Sequence, residues 1–264
     1  MVLRDAAGKT QADAASALDC TRSHISQFEN GTRVPRMLDL RELCALYGAT
    51  DKLDVLEELR QQANQRGWWT SHALPEWLQN YLSLETDACA VRCFVLELVP
   101  GLVQTADYAR ESYLRHGTDP RDVGRYVAAR MERQRRIGTT DHQLSVVMSE
   151  ALLHRTAAMG PIGAEQLRFL ASACGMAGVE IRVVPFAVGG HVAMTGSFTL
   201  FDFPAGDDGR PLVDPVAYLE YPGGGHLADD QTVVDNLGWM YAQVVKQALN
   251  RGDSETLLHQ WAAR

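Results

Sequence analysis

The chain has 264 residues, about twice the common domain size, so two hydrophobic cores are expected. Its 46% hydrophobic and 22% charged residues are those of a globular protein; no apolar run nears the roughly 18 residues of a membrane span. The opening MVLRDAAGKTQ lacks the apolar stretch of a secretory signal, so a cytoplasmic protein is expected, and the formal charge of −8 argues at first against a nucleic-acid partner.

Only Met1 to Ala7 precede Gly8, which should end any first helix after about two turns, roughly 10 Å. TQADAASAL (10–18) reads as a short amphipathic helix, with Ala14, Ala15 and Leu18 apolar. Asp19, Cys20 and Thr21 form a turn, and the Thr21 hydroxyl can cap the next helix, RSHISQFEN. That helix buries Ile25 and Phe28; Gly31 supplies a left-handed stop, and Pro35 confirms the break. LDLRELCALYG follows, with Leu38, Leu40, Leu43, Cys44 and Tyr47 apolar. A further helix runs from about Asp51 to Asn64 through Leu53, Leu56, Leu59 and Ala63.

After Gln65-Arg66-Gly67 and the pair Trp68-Trp69 the pattern changes from all-helical to mixed. Helices are expected over 75–85, 104–116, 120–137, 162–174, 229–249 and 253–262, and strands over 88–98, 143–148, 179–185, 196–203 and 215–221. AGDDGRP (205–211) reads as an exposed turn. The expected fold class is α+β: an all-α helix-turn-helix domain over 1–66, then a mixed α/β regulatory, dimerisation or partner-binding domain over 67–264. The long helix over 229–249, with Leu237, Met240, Tyr241, Val244, Val245 and Ala248 apolar, is either a dimer interface or core.

Two short helices joined by a tight turn, the second polar on one face, are what major-groove reading requires. With Ile25 and Phe28 inward, Arg22, Ser23, Ser26 and Gln27 are left on or near the outer face. Arginine pairs with both acceptors of guanine, and glutamine pairs bidentately with adenine. Gln11 opens the preceding helix, where a phosphate could be met. Charge distribution agrees: residues 1–36 hold five basic side chains (Arg4, Lys9, Arg22, Arg33, Arg36) against four acidic ones (Asp5, Asp13, Asp19, Glu29), or +1. The other 228 residues therefore carry −9.

TQADAASALDCTRSHISQFENGTRVP resembles the phage-repressor, Xre/Cro-type helix-turn-helix, with TQ opening the second helix, a small residue at Ala15, and I-S-x-x-E-x-G over Ile25 to Gly31. The resemblance places Arg22, Ser23 and Gln27 at base-contacting positions and Gln11, Thr21, Ser26 and Asn30 at phosphate-contacting or bracing ones. Glu29 is expected to brace the fold. RGWW (66–69), FVLELVPGLVQTADYAR (94–110), ERQRR (132–136), IRVVPF (181–186), GSFTLFDFP and YLEY extend it. They are similar to actinobacterial antitoxin-like regulators of the WhiJ type, which join an Xre head to a C-terminal domain. The resemblance implies double-stranded DNA as partner, a homodimer, and a small protein partner encoded nearby. Xre heads begin with a fuller first helix, so the short start here carries the expectation of a chain cut or annotated short.

Other constellations carry less. The five cysteines (Cys20, Cys44, Cys89, Cys93, Cys174) lack metal-ligand spacing and read as small buried hydrophobes, with Cys89 and Cys93 on one strand face. Glu150 and His154 read as a solvated i, i+4 pair. Gly189-Gly190-His191 and Gly223-Gly224-Gly225-His226 have no phosphate-binding fingerprint and read as turns. The arginine-rich helix 120–137 reads as solvated or interfacial rather than as a second nucleic-acid surface, and Trp68-Trp69 as an interdomain anchor. No catalytic site, metal or cofactor is expected, so the expected role is a DNA-binding transcriptional regulator rather than an enzyme. A small-ligand-sensing regulator, with a pocket near the Gly-rich segments, is the alternative; a hydrolase or transferase is a third.

Overall fold

The computed structural model describes residues 1–31, 33–64, 74–139, 142–205, 211, 213–221 and 224–263. The Trp68-Trp69 pair and most of the 205–211 turn lie outside the described residues, although Ala205 and Pro211 form an antiparallel bridge. The chain divides into two compact units, Met1–Trp68 and Trp69–Arg264.

The first unit is helical: α1 (Val2–Ala6), α2 (Gln11–Ala17), α3 (Arg22–Glu29), α4 (Met37–Tyr47) and α5 (Leu53–Asn64). Each early boundary has a local cause. Thr10 and Asp13 form a capping box at α2, with Asp13 N–H donating to Thr10 Oγ1 (3.2 Å) and Thr10 N–H to Asp13 Oδ2 (2.8 Å). Gly31 and Gly48 take the left-handed conformation (φ +70° and +66°) just past α3 and α4. Ile25 is buried against Ala14 and Ala15, flanked by Leu18, Phe28, Leu43, Leu46 and Tyr47. Leu38 departs from expectation: it is 69% exposed, because it lies about 200° round α4 from Leu40 and opposite the packed stripe.

In the second unit, six strands among the described residues form one sheet in the order β3-β2-β1-β4-β5-β6. They are β1 (Ala90–Val95), β2 (Gln143–Ser149), β3 (Val179–Val184), β4 (Phe198–Asp202), β5 (Val216–Tyr221) and β6 (Gly224–Ala228). The first three are parallel, and β4, β5 and β6 follow antiparallel. The parallel crossovers carry α7 (Ala106–Arg115) with α8 (Pro120–Gln134), and then α9 (Glu150–Ala157) with α10 (Pro161–Ala173). The unit opens with α6 (Glu76–Asp87) and ends with α11 (Gln231–Gln247) and α12 (Arg251–Ala262).

Side-chain alternation along the strands feeds two cores. Val91, Cys93, Leu144, Val146, Met148, Ile181, Phe201 and Tyr218 face α7, α9, α10 and α12; Phe94, Val147, Val184, Phe198, Leu200 and Ala217 face α11. Leu237, Tyr241 and Val244 are buried there, with Met240, Val245 and Ala248 packed beside them, so that stripe of α11 is core rather than a free dimer face. Two further expectations change. Gly224, Gly225 and His226, read as part of a turn, belong to an edge strand, Gly224–Ala228, paired with β5, and α9 is a separate helix between β2 and α10.

Candidate nucleic-acid interface

Two short helices set the geometry of the first unit's polar face. Ala14 and Ala15 on α2 are small enough to let α3 approach, and Ile25 fills the contact. The Thr21 hydroxyl caps α3 by accepting from His24 N–H (3.3 Å), which fixes where that helix begins. With Ile25 inward, Thr21, Arg22, Ser23, Gln27 and Asn30 are exposed and Ser26 is half-buried. Asn30 Nδ2 donates to Ser26 Oγ at 3.3 Å.

Gln11 is half-buried, and its amide donates to Glu29 Oε2 at 2.7 Å; Arg4 Nε donates to Glu29 Oε1 at 2.6 Å. Glu29 thus ties α1 and α2 to α3, in the bracing role read from the sequence. Burial would raise its pKa, but the hydrogen bonds from Arg4 and Gln11 outweigh that and hold it at about 2. A carboxylate so paired adds little negative field beside a duplex. Arg33 and Arg36 were not singled out by sequence. Both are exposed just beyond α3, where Arg33 N–H donates to Gln27 O (3.2 Å) and Arg36 pairs with buried Asp39 (2.9 Å). Their signal was two cations within a few residues of the motif.

Elsewhere the candidate sites resolve into structure. Cys93 is buried on β1, and burial pushes its thiol up to about 12; Cys89 lies before the strand, with its thiol on Asp202 O (3.4 Å). Among the described residues no three His, Cys, Asp or Glu side chains converge as metal ligands, and no helix is long and apolar enough to cross a membrane.

Helix α8 is not simply solvated. Arg133 is buried and donates to Glu85 Oε1 at 2.7 Å, and Arg130 bonds Gln104 and lies 4.4 Å from the Tyr113 ring centroid. A buried guanidinium needs such partners to offset lost hydration. Arg121, Arg125 and Arg135 pair with Asp119, Asp122 and Glu132. The Glu150–His154 pair is also partly enclosed: Glu150 Oε2 accepts from Phe186 N–H (2.8 Å), and the His154 ring meets Trp261 edge-on at 4.3 Å.

A capped, polar-faced second helix packed on an alanine-lined first one defines a helix-turn-helix head of the DNA-binding kind. A family described as a helix-turn-helix domain matches residues 2–59, in agreement. A second family, described as a domain of unknown function (DUF5753), matches residues 78–260, well over half of the chain, and the chain belongs to it. No curated protein and no solved structure matches the chain.

Proposed function

We propose that the chain is a sequence-specific transcriptional regulator of the Xre kind, antitoxin-like and related to the WhiJ type, acting in the cytoplasm as a homodimer. In this reading Arg22, Ser23 and Gln27 read base edges. Gln11, Thr21, Ser26 and Asn30 meet or brace the phosphate backbone, with Arg33 adding charge beside them. The acidic second unit then takes its signal from a small protein partner. The observation that supports this reading most is the exposure of Arg22, Ser23 and Gln27 on a helix whose other face is fixed by buried Ile25.

Losing one bidentate base contact costs about 1–3 kcal/mol. Arg22→Ala and Gln27→Ala should each weaken binding to a duplex selected from a random pool by about that amount, with little loss on scrambled DNA at the same salt concentration. Equal losses on both duplexes would show that these side chains do not read bases.

A further inference from the structure

An open sheet has two edges, and each presents a row of backbone N–H and C=O groups on which another strand can pair. At one edge, β3, the row is closed. Val183 N–H donates to Ser254 Oγ near the start of α12 (3.1 Å), and Val183 O accepts from Leu249 N–H (2.8 Å). That strand also carries Glu180 and Arg182, charges of the kind that discourage a further strand. The other edge, β6, has no such cover. The backbone of Gly224–Ala228 pairs with β5 and makes no other hydrogen bond among the described residues. Its sequence, GGHLA, holds no Lys, Arg, Asp, Glu or Pro, and Leu227 is 41% exposed.

A strand of this composition fits a second copy of itself. Two-fold antiparallel pairing of all its residues has one centre, His226, which then faces His226 of the partner subunit. Gly224 falls opposite Ala228 of the partner subunit, and Gly225 opposite Leu227 of the partner subunit. The large side chain therefore meets the residue that has none. Tyr218 lies across Gly225 on that same face, so the incoming leucine meets an aromatic side chain rather than water. Charge selects the same arrangement. Each chain carries a formal −8, and a strip without charge is where two copies approach at least cost. Asp229 and Asp230 directly follow β6. Antiparallel pairing holds these carboxylates of the two copies at opposite ends, roughly 20 Å apart along the strands and beyond the screening length of about 8 Å. Parallel pairing would set them side by side.

We propose that β6 is the pairing edge of the homodimer, joining two six-stranded sheets into one continuous sheet across a two-fold axis at His226. This surface rests on the homodimer reading and adds to it the strand, its orientation and its register.

Two substitutions of the exposed His226 in the full chain test it. Facing Cα atoms of an antiparallel pair stand about 4.5–5.5 Å apart, within disulfide reach. His226→Cys should therefore form a covalent dimer under mild oxidation. The wild type, with its native cysteines, and Val233→Cys, exposed on α11 beyond the strand, should not. His226→Glu sets two carboxylates face to face and should raise the dimer dissociation constant about tenfold or more in sedimentation equilibrium. If the wild type is a dimer and either His226 variant behaves as its control does, the β6 edge is overturned and the homodimer stands. A wild type that stays monomeric at micromolar concentration overturns both. Neither readout involves DNA, so the outcome is separable from that of the DNA-binding reading.

Discussion

Glu29 is the residue on which the head's polar architecture converges, with one carboxylate accepting from Arg4 on α1 and Gln11 on α2. Its pKa, held at about 2 against an ordinary 4.5, makes this a pH-dependent contribution. The folded value lies below the unfolded one, so the stabilisation is complete above about pH 4.5 and disappears as pH falls toward 2. Allowing for solvent screening, it is on the order of 2 kcal/mol. Hydrogen exchange of the α2 and α3 amides in the full chain, corrected for intrinsic rates, should lose about that much protection between pH 5 and pH 2.5. Glu29→Gln, weakened already at pH 7, should change much less over the same interval. Parallel loss in both proteins would place the pH dependence elsewhere. The bracing role was legible in the sequence because a carboxylate on a DNA-facing helix needs an internal use. That Gln11 is its partner was not legible, since spacing along two helices does not say which amide meets which carboxylate.

Elements with a strong period could be read from the sequence. Those whose residues were chosen for close approach could not. Strands β1 to β5 alternate apolar residues to two cores, and α11 repeats Val234, Leu237, Tyr241 and Val244 at helical spacing. By contrast β6 has glycine at Gly224 and Gly225 and no β-branched residue, so it carries the signature of a turn. The reason lies in its neighbour. A Cβ added at Gly225 would stand 1.9 Å from Tyr218 Oη and 2.1 Å from Cζ, so the tyrosine lies across the strand where a side chain would be. That ring is itself packed edge-on against Tyr81 at 4.8 Å, which limits its retreat. Gly225→Ala should therefore destabilise the second unit by about 1–3 kcal/mol in urea unfolding, the usual cost of overpacking. In a Tyr218→Ala background the same substitution should cost much less. An equal cost in both backgrounds would mean that backbone preference, not the tyrosine, demands glycine.

At the scale of the whole molecule, charge and symmetry have to be reconciled with reading DNA. The first 36 residues carry +1 and the remainder −9, so electrostatic attraction from one head is weak and screened by salt. A single recognition helix also spans only a short half-site, and two-fold operators place half-sites about 34–36 Å apart, one turn of the duplex. Two heads in one particle solve both problems, because the second head binds at the high effective concentration set by the first. Sequence left the apolar stripe of α11 open as interface or core. The structure buries Leu237, Tyr241 and Val244 within the unit's own core, so a homodimer would pair through another surface. The expected outcome is a particle of twice the chain mass in light scattering at micromolar concentration, and two chains on each two-fold operator. Separating the half-sites by a further half-turn, about 5 base pairs, puts the second one on the opposite side of the duplex. Affinity should then fall to that of an isolated half-site, while a whole-turn insertion should recover part of it. A monomer in solution that also binds one per operator, indifferent to the spacing, would rule out the homodimer.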